Sequence, residues 1–526
     1  MIKIKRAVCA VLSAALLISC LPLVAAAETP PEIPIVECRG AFHPLYFNAG
    51  TPEQTVGFSG TNNSVFAADL LAQITDALSP LLADVQAGNL NIDIIALADS
   101  LGEVINRNFG VLAFQPDGTP INKLDGDING NNWYLSPEHS GRAYSFDFDW
   151  RESPLITAER LNAFIKEVKT KTGSDTVNLC VQSGSAPLGL AYLYQYGTSD
   201  LSAYWARMGL SNGSTLFGQM VNKGIRIDGD ALFNCTYLEQ FGFGGDDEQM
   251  AQITEILRLL NDLGILHMLT GLAYLPLRPT LIDRLYEICV IPTLLTMPIL
   301  WAYVPEEFYE SGIETCFGGE RAKYAGLIAK LEEYYNVQRN GKAILAKAAK
   351  EIRVGLSCSY GSSLVPLVKG ANTNSDTLVD IALSSYGATA SVPGEALDGP
   401  LRGLLPYVQK VKDGHNHISP DNQIDASTCL LPETTWFYDS ATHFSMIDYE
   451  LRDWFFDYAD APTVHSDPEK HPQFLHKVEG SSSFDPLVPL AAPEPEALDP
   501  TQQFLDLLKS AVRGLLYVFN WWLDYV

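Results

Sequence analysis

VNLCVQSGSAPLGLAYLYQYG, residues 177–197, reads as a buried strand, a sharp turn carrying Ser183, and then a helix. The strand VNLCV is apolar almost throughout, which excludes a half-solvated strand of alternating character and implies cover on both faces. A strand that runs through a short turn into a helix is the repeating unit of a parallel sheet. A serine in that turn is held above the sheet edge, where backbone NH groups at the helix start can stabilise an oxyanion. The positions two before and two after such a serine are ordinarily glycine, because side chains there crowd each other across the turn. Here they are Val181 and Ser185. Ser185 is small, so Val181 is the residue the turn has to absorb. A serine that merely forms the turn is the competing reading.

The flanking sequence extends the pattern. YSFDFDW (144–150) reads as a strand, and AERLNAFIKEVKTKTG (158–173) as an amphipathic helix ending at Gly173. Upstream, PIVECRGAFHPLYF (34–47) is a core strand that breaks at Arg39 and Gly40, and residues 64–113 are helix-patterned. From about 240 to 350 the chain changes to apolar helical segments interrupted by prolines, including Pro292 and Pro298. Those prolines and the bounding charges favour a cap over a site rather than a membrane span. Strands return at IRVGLSCSYG (352–361) and TTWFYDSA (434–441), so the insertion lies inside one domain. The fold class expected is α/β, with a mostly parallel central sheet flanked by helices, a large helical cap and a C-terminal amphipathic helix.

The 526 residues, 47% apolar and 10% aromatic, suffice for a large core. Residues 1–27 read as a secretory signal: basic Lys3, Lys5 and Arg6, an apolar stretch, then Ala25, Ala26 and Ala27. Export follows from that reading. Leu17, Ile18, Ser19 and Cys20 also resemble a lipoprotein box that would hold the protein at a membrane through Cys20. A net charge of −27 disfavours nucleic acid and anionic membranes as partners by charge alone. Of nine cysteines, seven follow the leader, an odd number with no C-x-x-C pair. They argue against a disulfide framework or a cysteine zinc site and read as buried small hydrophobes.

The expected organisation is a leader (1–27), a first core part (28–240), the cap (241–350), a second core part (351–480), a Pro-rich acidic linker (481–500) and a terminal helix (501–526). In that helix Leu505, Leu508, Val512, Leu515, Phe519, Trp522 and Val526 form one apolar stripe. It suits packing on the body, a partner contact or a peripheral membrane contact.

Residues 144–197 resemble the nucleophile region of α/β-hydrolases of the lipase and lecithin:cholesterol acyltransferase-like group. Asp149, Trp150 and Arg151 match the close of a strand in that group, and Val181 to Ser185 align with its G-H-S-x-G turn, Gln182 standing at the histidine. SNGSTLFGQM (211–220) continues the likeness, which loosely spans 34–445 apart from the cap. The resemblance implies the order Ser, Asp, His. Asp376, in NTNSDTLVD after a predicted core strand, is placed like the acid, with Thr377 where a glycine is usual; Asp413 and Asp421 are the competing acids. His443, after TTWFYDSATH, is placed like the base. For the oxyanion, the resemblance implies backbone NH groups of Ala41 or Phe42 in the loop after the first strand, together with Gly184.

The chemical need is independent of likeness: a serine at its free pKa is a poor nucleophile, so an imidazole takes its proton and a buried carboxylate fixes the imidazole tautomer. His415 and His417, with Asp413 and Asp421, form a second polar group, read as a solvated loop because no clear further metal ligand accompanies the H-x-H. DGDINGNN (125–132) resembles a calcium loop but has Ser136 at the last ligand position, so it reads as a turn. No metal or cofactor is expected. The function expected is an exported serine hydrolase cleaving carboxylic esters of lipophilic or acyl substrates, acyl transfer included. The departures at Val181, Gln182, Ser185 and Thr377 keep a second reading open, an inactive hydrolase scaffold used as a binding or surface protein.

Overall fold

The computed structural model describes residues 32–60, 64–86, 93–126, 142–226, 228, 231, 278–397, 408–409, 414–443, 448–458, 460–478, 481 and 483–489. The leader, residues 241–277 of the expected cap and the terminal helix lie outside them.

Apolar and small residues on both faces of the strands allow cover on both sides. Strands β1 (Ile35–Cys38), β4 (Ala143–Phe146), β5 (Val177–Gln182), β6 (Leu201–Arg207), β7 (Arg353–Tyr360), β10 (Thr435–Asp439), β11 (Phe474–Lys477) and β12 (Phe484–Pro486) form an eight-stranded sheet in the order β12-β11-β10-β7-β6-β5-β1-β4. All pairs are parallel except β11 with β12. Two small antiparallel pairs stand apart: β2 (Leu45–Phe47) with β3 (Thr55–Phe58), and β8 (Thr389–Ala390) with β9 (Ile424–Asp425). The fold is thus α/β with a mostly parallel central sheet.

The two-residue period of a strand sorts its side chains into two cores. On one face Val36, Leu179, Val181 and Tyr204 join Leu161 and Ile165 of the helix Pro154–Thr172 and Leu188 of the helix Ala186–Tyr196. On the other, Ile35, Cys180, Trp205 and Trp436 join Leu451 and Phe455 of the helix Tyr449–Asp457. The helix Pro154–Thr172 starts with proline in its first turn and stops at Gly173, whose φ of 71° suits a residue without a side chain.

Two boundaries move relative to the sequence expectations. The helices Ala325–Arg339 and Gly341–Ala348, inside the stretch expected as cap, bury Leu327, Leu331, Val337 and Leu345 in the same core as Val181. Tyr334 donates its hydroxyl to the Pro187 carbonyl, so this part of 241–350 is sheet cover. The stretch 481–500, expected as a linker, opens with β12, which pairs antiparallel with β11. Among the described residues no helix is long and apolar enough to cross a membrane. Six cysteines among them are free thiols, five of them buried.

Candidate active site

Parallel strands present all their C-terminal ends on one side, and three loops from those ends converge there. Ser183 follows β5, Asp376 lies in the loop after β7, and His443 follows β10. Ser183 Oγ is 2.7 Å from Nε2 of His443, and Nδ1 of that ring is 2.7 Å from Oδ2 of Asp376. His443 and Asp376 are buried, while Ser183 is partly exposed. With the ring proton on Nδ1 facing the carboxylate, Nε2 accepts the serine hydroxyl, which is the arrangement that lets an imidazole take that proton.

The carboxylate is held from its other side. Oδ1 of Asp376 accepts the backbone NH groups of Leu378 and Val379 at 2.9 and 2.7 Å. The His443 backbone NH donates to the Asp376 carbonyl at 2.6 Å, fixing the two residues through the main chain as well. Thr377 completes this turn at φ 85°, the region where the resembled glycine would rest without strain. Its NH donates to Ser375 Oγ at 3.1 Å.

The Ser183 turn forms with its two unusual flanks. Ser183 has φ 53°, a tight left-handed conformation that lifts its side chain out of the strand line. Ser185 is fully buried and useful: its hydroxyl accepts the Gln182 NH at 2.9 Å and lies 2.8 Å from the Cys38 carbonyl as donor. Val181 points into the helix layer, where Gly189 makes room; a Cβ on Gly189 would come within 2.8 Å of Val181 Cγ1. The small residue that the strand lacks is supplied by the helix.

The loop after β1 packs on this turn. A Cβ on Gly40 would stand 3.3 Å from Ser183 Cβ, and one on Gly184 would stand 3.0 Å from the Ala41 backbone nitrogen. Ala41 and Gly184 are therefore neighbours, as their expected shared role requires. Phe42 has φ 66°, a conformation that costs a bulky residue about 1–3 kcal/mol unless surrounding contacts hold it. Its ring packs on Trp150 at 4.7 Å, and Trp150 Nε1 donates to the His43 carbonyl. Arg151 in turn is saturated by Asp149 and by the carbonyls of Leu112 and Asn122. Trp150 thus holds the loop, while Asp149 and Arg151 tie the same strand end to the segments around 112 and 122.

The other sequence candidates separate. Asp421 accepts from Tyr360, Ser419 and Gln423 and has a structural role away from His443. Asp413 lies outside the described residues. Asp125 pairs with Arg160 through both oxygens, and residues 127–132 of the calcium-like stretch lie outside the described residues. The H-x-H reading needs correction: His417 is fully buried rather than solvated, and the groups beside His415 and His417 are Glu433 and His465, not Asp421. Sequence reading also missed Tyr303, whose hydroxyl donates to the Gly184 carbonyl at 3.0 Å from the region expected as cap. Nothing in a lone tyrosine of an apolar run signals that contact. A cavity of about 650 Å³ lies at the opposite end of the sheet, lined by Ser202, Arg353, Glu433 and Thr434 near strand starts.

No family model matches the chain, and no curated protein matches it. Among solved structures, one described as the crystal structure of the Tle4-Tli4 complex aligns with 62% of this chain and 74% of that chain, at 9% identity and a TM-score of 0.25. A likeness at that level carries no argument about activity or partners.

Proposed function

We propose that the chain is a serine hydrolase of the α/β-hydrolase fold that cleaves carboxylic esters of lipophilic or acyl substrates through an acyl-enzyme. The observation that supports this reading is the continuous hydrogen-bond chain Ser183–His443–Asp376 across three loops. Ser183 Oγ attacks the ester carbonyl carbon as its proton passes to His443 Nε2, and Asp376 steadies the imidazolium. The carbonyl oxygen becomes an oxyanion held by backbone NH groups of Ala41 and Gly184. A donor of this kind contributes on the order of 10²–10³ in rate. The C–O bond of the leaving alcohol then breaks, and His443 returns the proton to the departing alkoxide. Water, deprotonated by His443, releases the acid and restores Ser183; an acceptor alcohol in place of water gives acyl transfer. Phe42, half-buried beside the turn, offers an apolar surface that suits an acyl group. Export belongs to the same proposal, and the N-terminal sequence of protein recovered from the medium tests it.

A fluorophosphonate probe tests the activity. Labelling of the wild type that disappears in Ser183→Ala, with Asp376→Asn slowing ester cleavage by up to about 10⁴-fold, is the expected outcome. A folded wild type that takes no label would favour the inactive binding scaffold instead.

A further inference from the structure

At the end of the sheet opposite Ser183, His415, His417, Glu433 and His465 bring one ligand atom each to within 4.8 Å of one another. Oε1 of Glu433 lies 3.0 Å from Nδ1 of His415 and 3.5 Å from Nε2 of His417, and Oε2 lies 3.6 Å from Nε2 of His465. A tetrahedral zinc ion with bonds of about 2.0–2.1 Å places its ligand atoms roughly 3.3 Å apart. The three separations from the Glu433 carboxylate bracket that value, and the imidazole ligand atoms lie within 4.8 Å of one another.

The scaffold sets these groups in place through the main chain. The Val464 NH donates to the Glu433 carbonyl at 2.9 Å, which puts His465 beside Glu433. The Gln409 side chain donates to the His415 carbonyl and accepts the His417 NH, pinning both ends of the H-x-H. Gln473 fixes the His417 tautomer: its amide nitrogen donates to the carbonyls of Pro432 and Thr435, so its oxygen faces His417 Nδ1 at 2.8 Å and requires a proton there. In the neutral ring Nε2 then carries a lone pair aimed at a carboxylate oxygen. Two acceptors that face each other are reconciled by a positive charge between them, either a metal ion or the proton of a histidine–carboxylate ion pair. The imidazole whose other nitrogen is held by an amide or carboxylate oxygen is the usual form of a metal-binding histidine. His417 is fully buried, whereas His415, His465 and Glu433 remain partly open to solvent and leave a path for an ion.

The geometry points to a divalent zinc site formed by His415, His417, His465 and Glu433. Three imidazoles and one carboxylate without thiolates match zinc, and four protein ligands match a closed structural site. The ion ties together the segments around 415–417, 433 and 465, next to the starts of β10 and β11. This proposal is independent of the hydrolase reading, because no ligand lies near Ser183.

The full-length protein is treated with a chelator, dialysed and titrated with zinc chloride by calorimetry. Cobalt(II) chloride serves as the spectroscopic probe. The expected result is one tightly bound equivalent, an intense visible cobalt band of tetrahedral type, and a rise in Tm on zinc addition. His465→Ala and Glu433→Gln, at partly exposed positions, lose the stoichiometric binding and the band while keeping the wild-type circular dichroism. Ser183→Ala binds as the wild type does. Failure of the folded wild type to bind one equivalent, or undiminished binding in His465→Ala, overturns the proposal and leaves a histidine–carboxylate ion pair.

Discussion

Val181 and Gly189 exchange the sizes expected of strand and helix. The close approach of a nucleophile turn needs one small partner, and either side can provide it. A methyl on Gly189 would meet Val181 Cγ1 at 2.8 Å and the Tyr204 hydroxyl at 2.7 Å. Gly189→Ala is therefore expected to lose about 1–3 kcal/mol by overpacking, read as a lower denaturation midpoint. Paired with Val181→Ala, the cost should be less than the sum of the two single losses, since the residues touch. Strict additivity would remove the compensation argument. Thr377 presents the reverse case, a branched side chain at φ 85°. Thr377→Gly relieves strain of roughly 1–3 kcal/mol but raises the unfolded chain's entropy, so a small gain of about 1 kcal/mol or less in stability is expected with ester cleavage retained. A clear loss would mean that the threonine side chain holds the acid turn.

At the scale of elements, the loop 39–44 carries a buried histidine that makes it sensitive to acid. His43 places Nδ1 2.9 Å from the Gly40 carbonyl and Nε2 3.1 Å from that of Phe148, and a neutral ring donates to one of them. Burial pushes its pKa below the ordinary 6.5. The unfolded chain therefore binds the proton more readily, and the stability contributed by the neutral ring is present above that value and lost as pH falls below it. Thermal melts between about pH 7 and 5 should fall more steeply for the wild type than for His43→Asn; parallel curves would rule out this residue as the acid-sensitive point.

Element by element, the sequence was readable where burial writes a continuous apolar run. VNLCV, IRVGLSCSYG and TTWFYDSA each proved to contain a sheet strand, and Ser183, Asp376 and His443 lie in the loops those strands feed. The short strands Phe474–Lys477 and Phe484–Pro486 went unread because they carry His476, Lys477, Asp485 and Pro486, residues typical of a sheet edge. Contacts between distant segments were illegible for a different reason. Tyr303 on Gly184, and His465 beside Glu433, depend on backbone placement that no local pattern encodes.

For the whole molecule, the sheet formed by the described residues ends in β4 on one side and β12 on the other. The antiparallel β12 occupies the backbone donors and acceptors of β11 that another chain would otherwise pair with. A chain ending after residue 489 should keep the association state of one ending nowhere near that edge, whereas a chain ending at 480 should self-associate, as light scattering would report. Equal behaviour of the two truncations would show that β12 has no protective part. The centre of the sheet poses a problem of time. Ala203 of β6 pairs with Arg353 of β7, so β6 gains its second neighbour only when a far later part of the chain has been made. Closing so long a loop is slow compared with forming the local unit from β4 through the helix Ala186–Tyr196. A half-synthesised chain would therefore carry an unpaired, apolar strand edge beside a finished Ser183 turn. Its hazard is greatest during biogenesis, before residues 353–360 emerge, and a chaperone or an unfolded transport route is the protection such a chain needs.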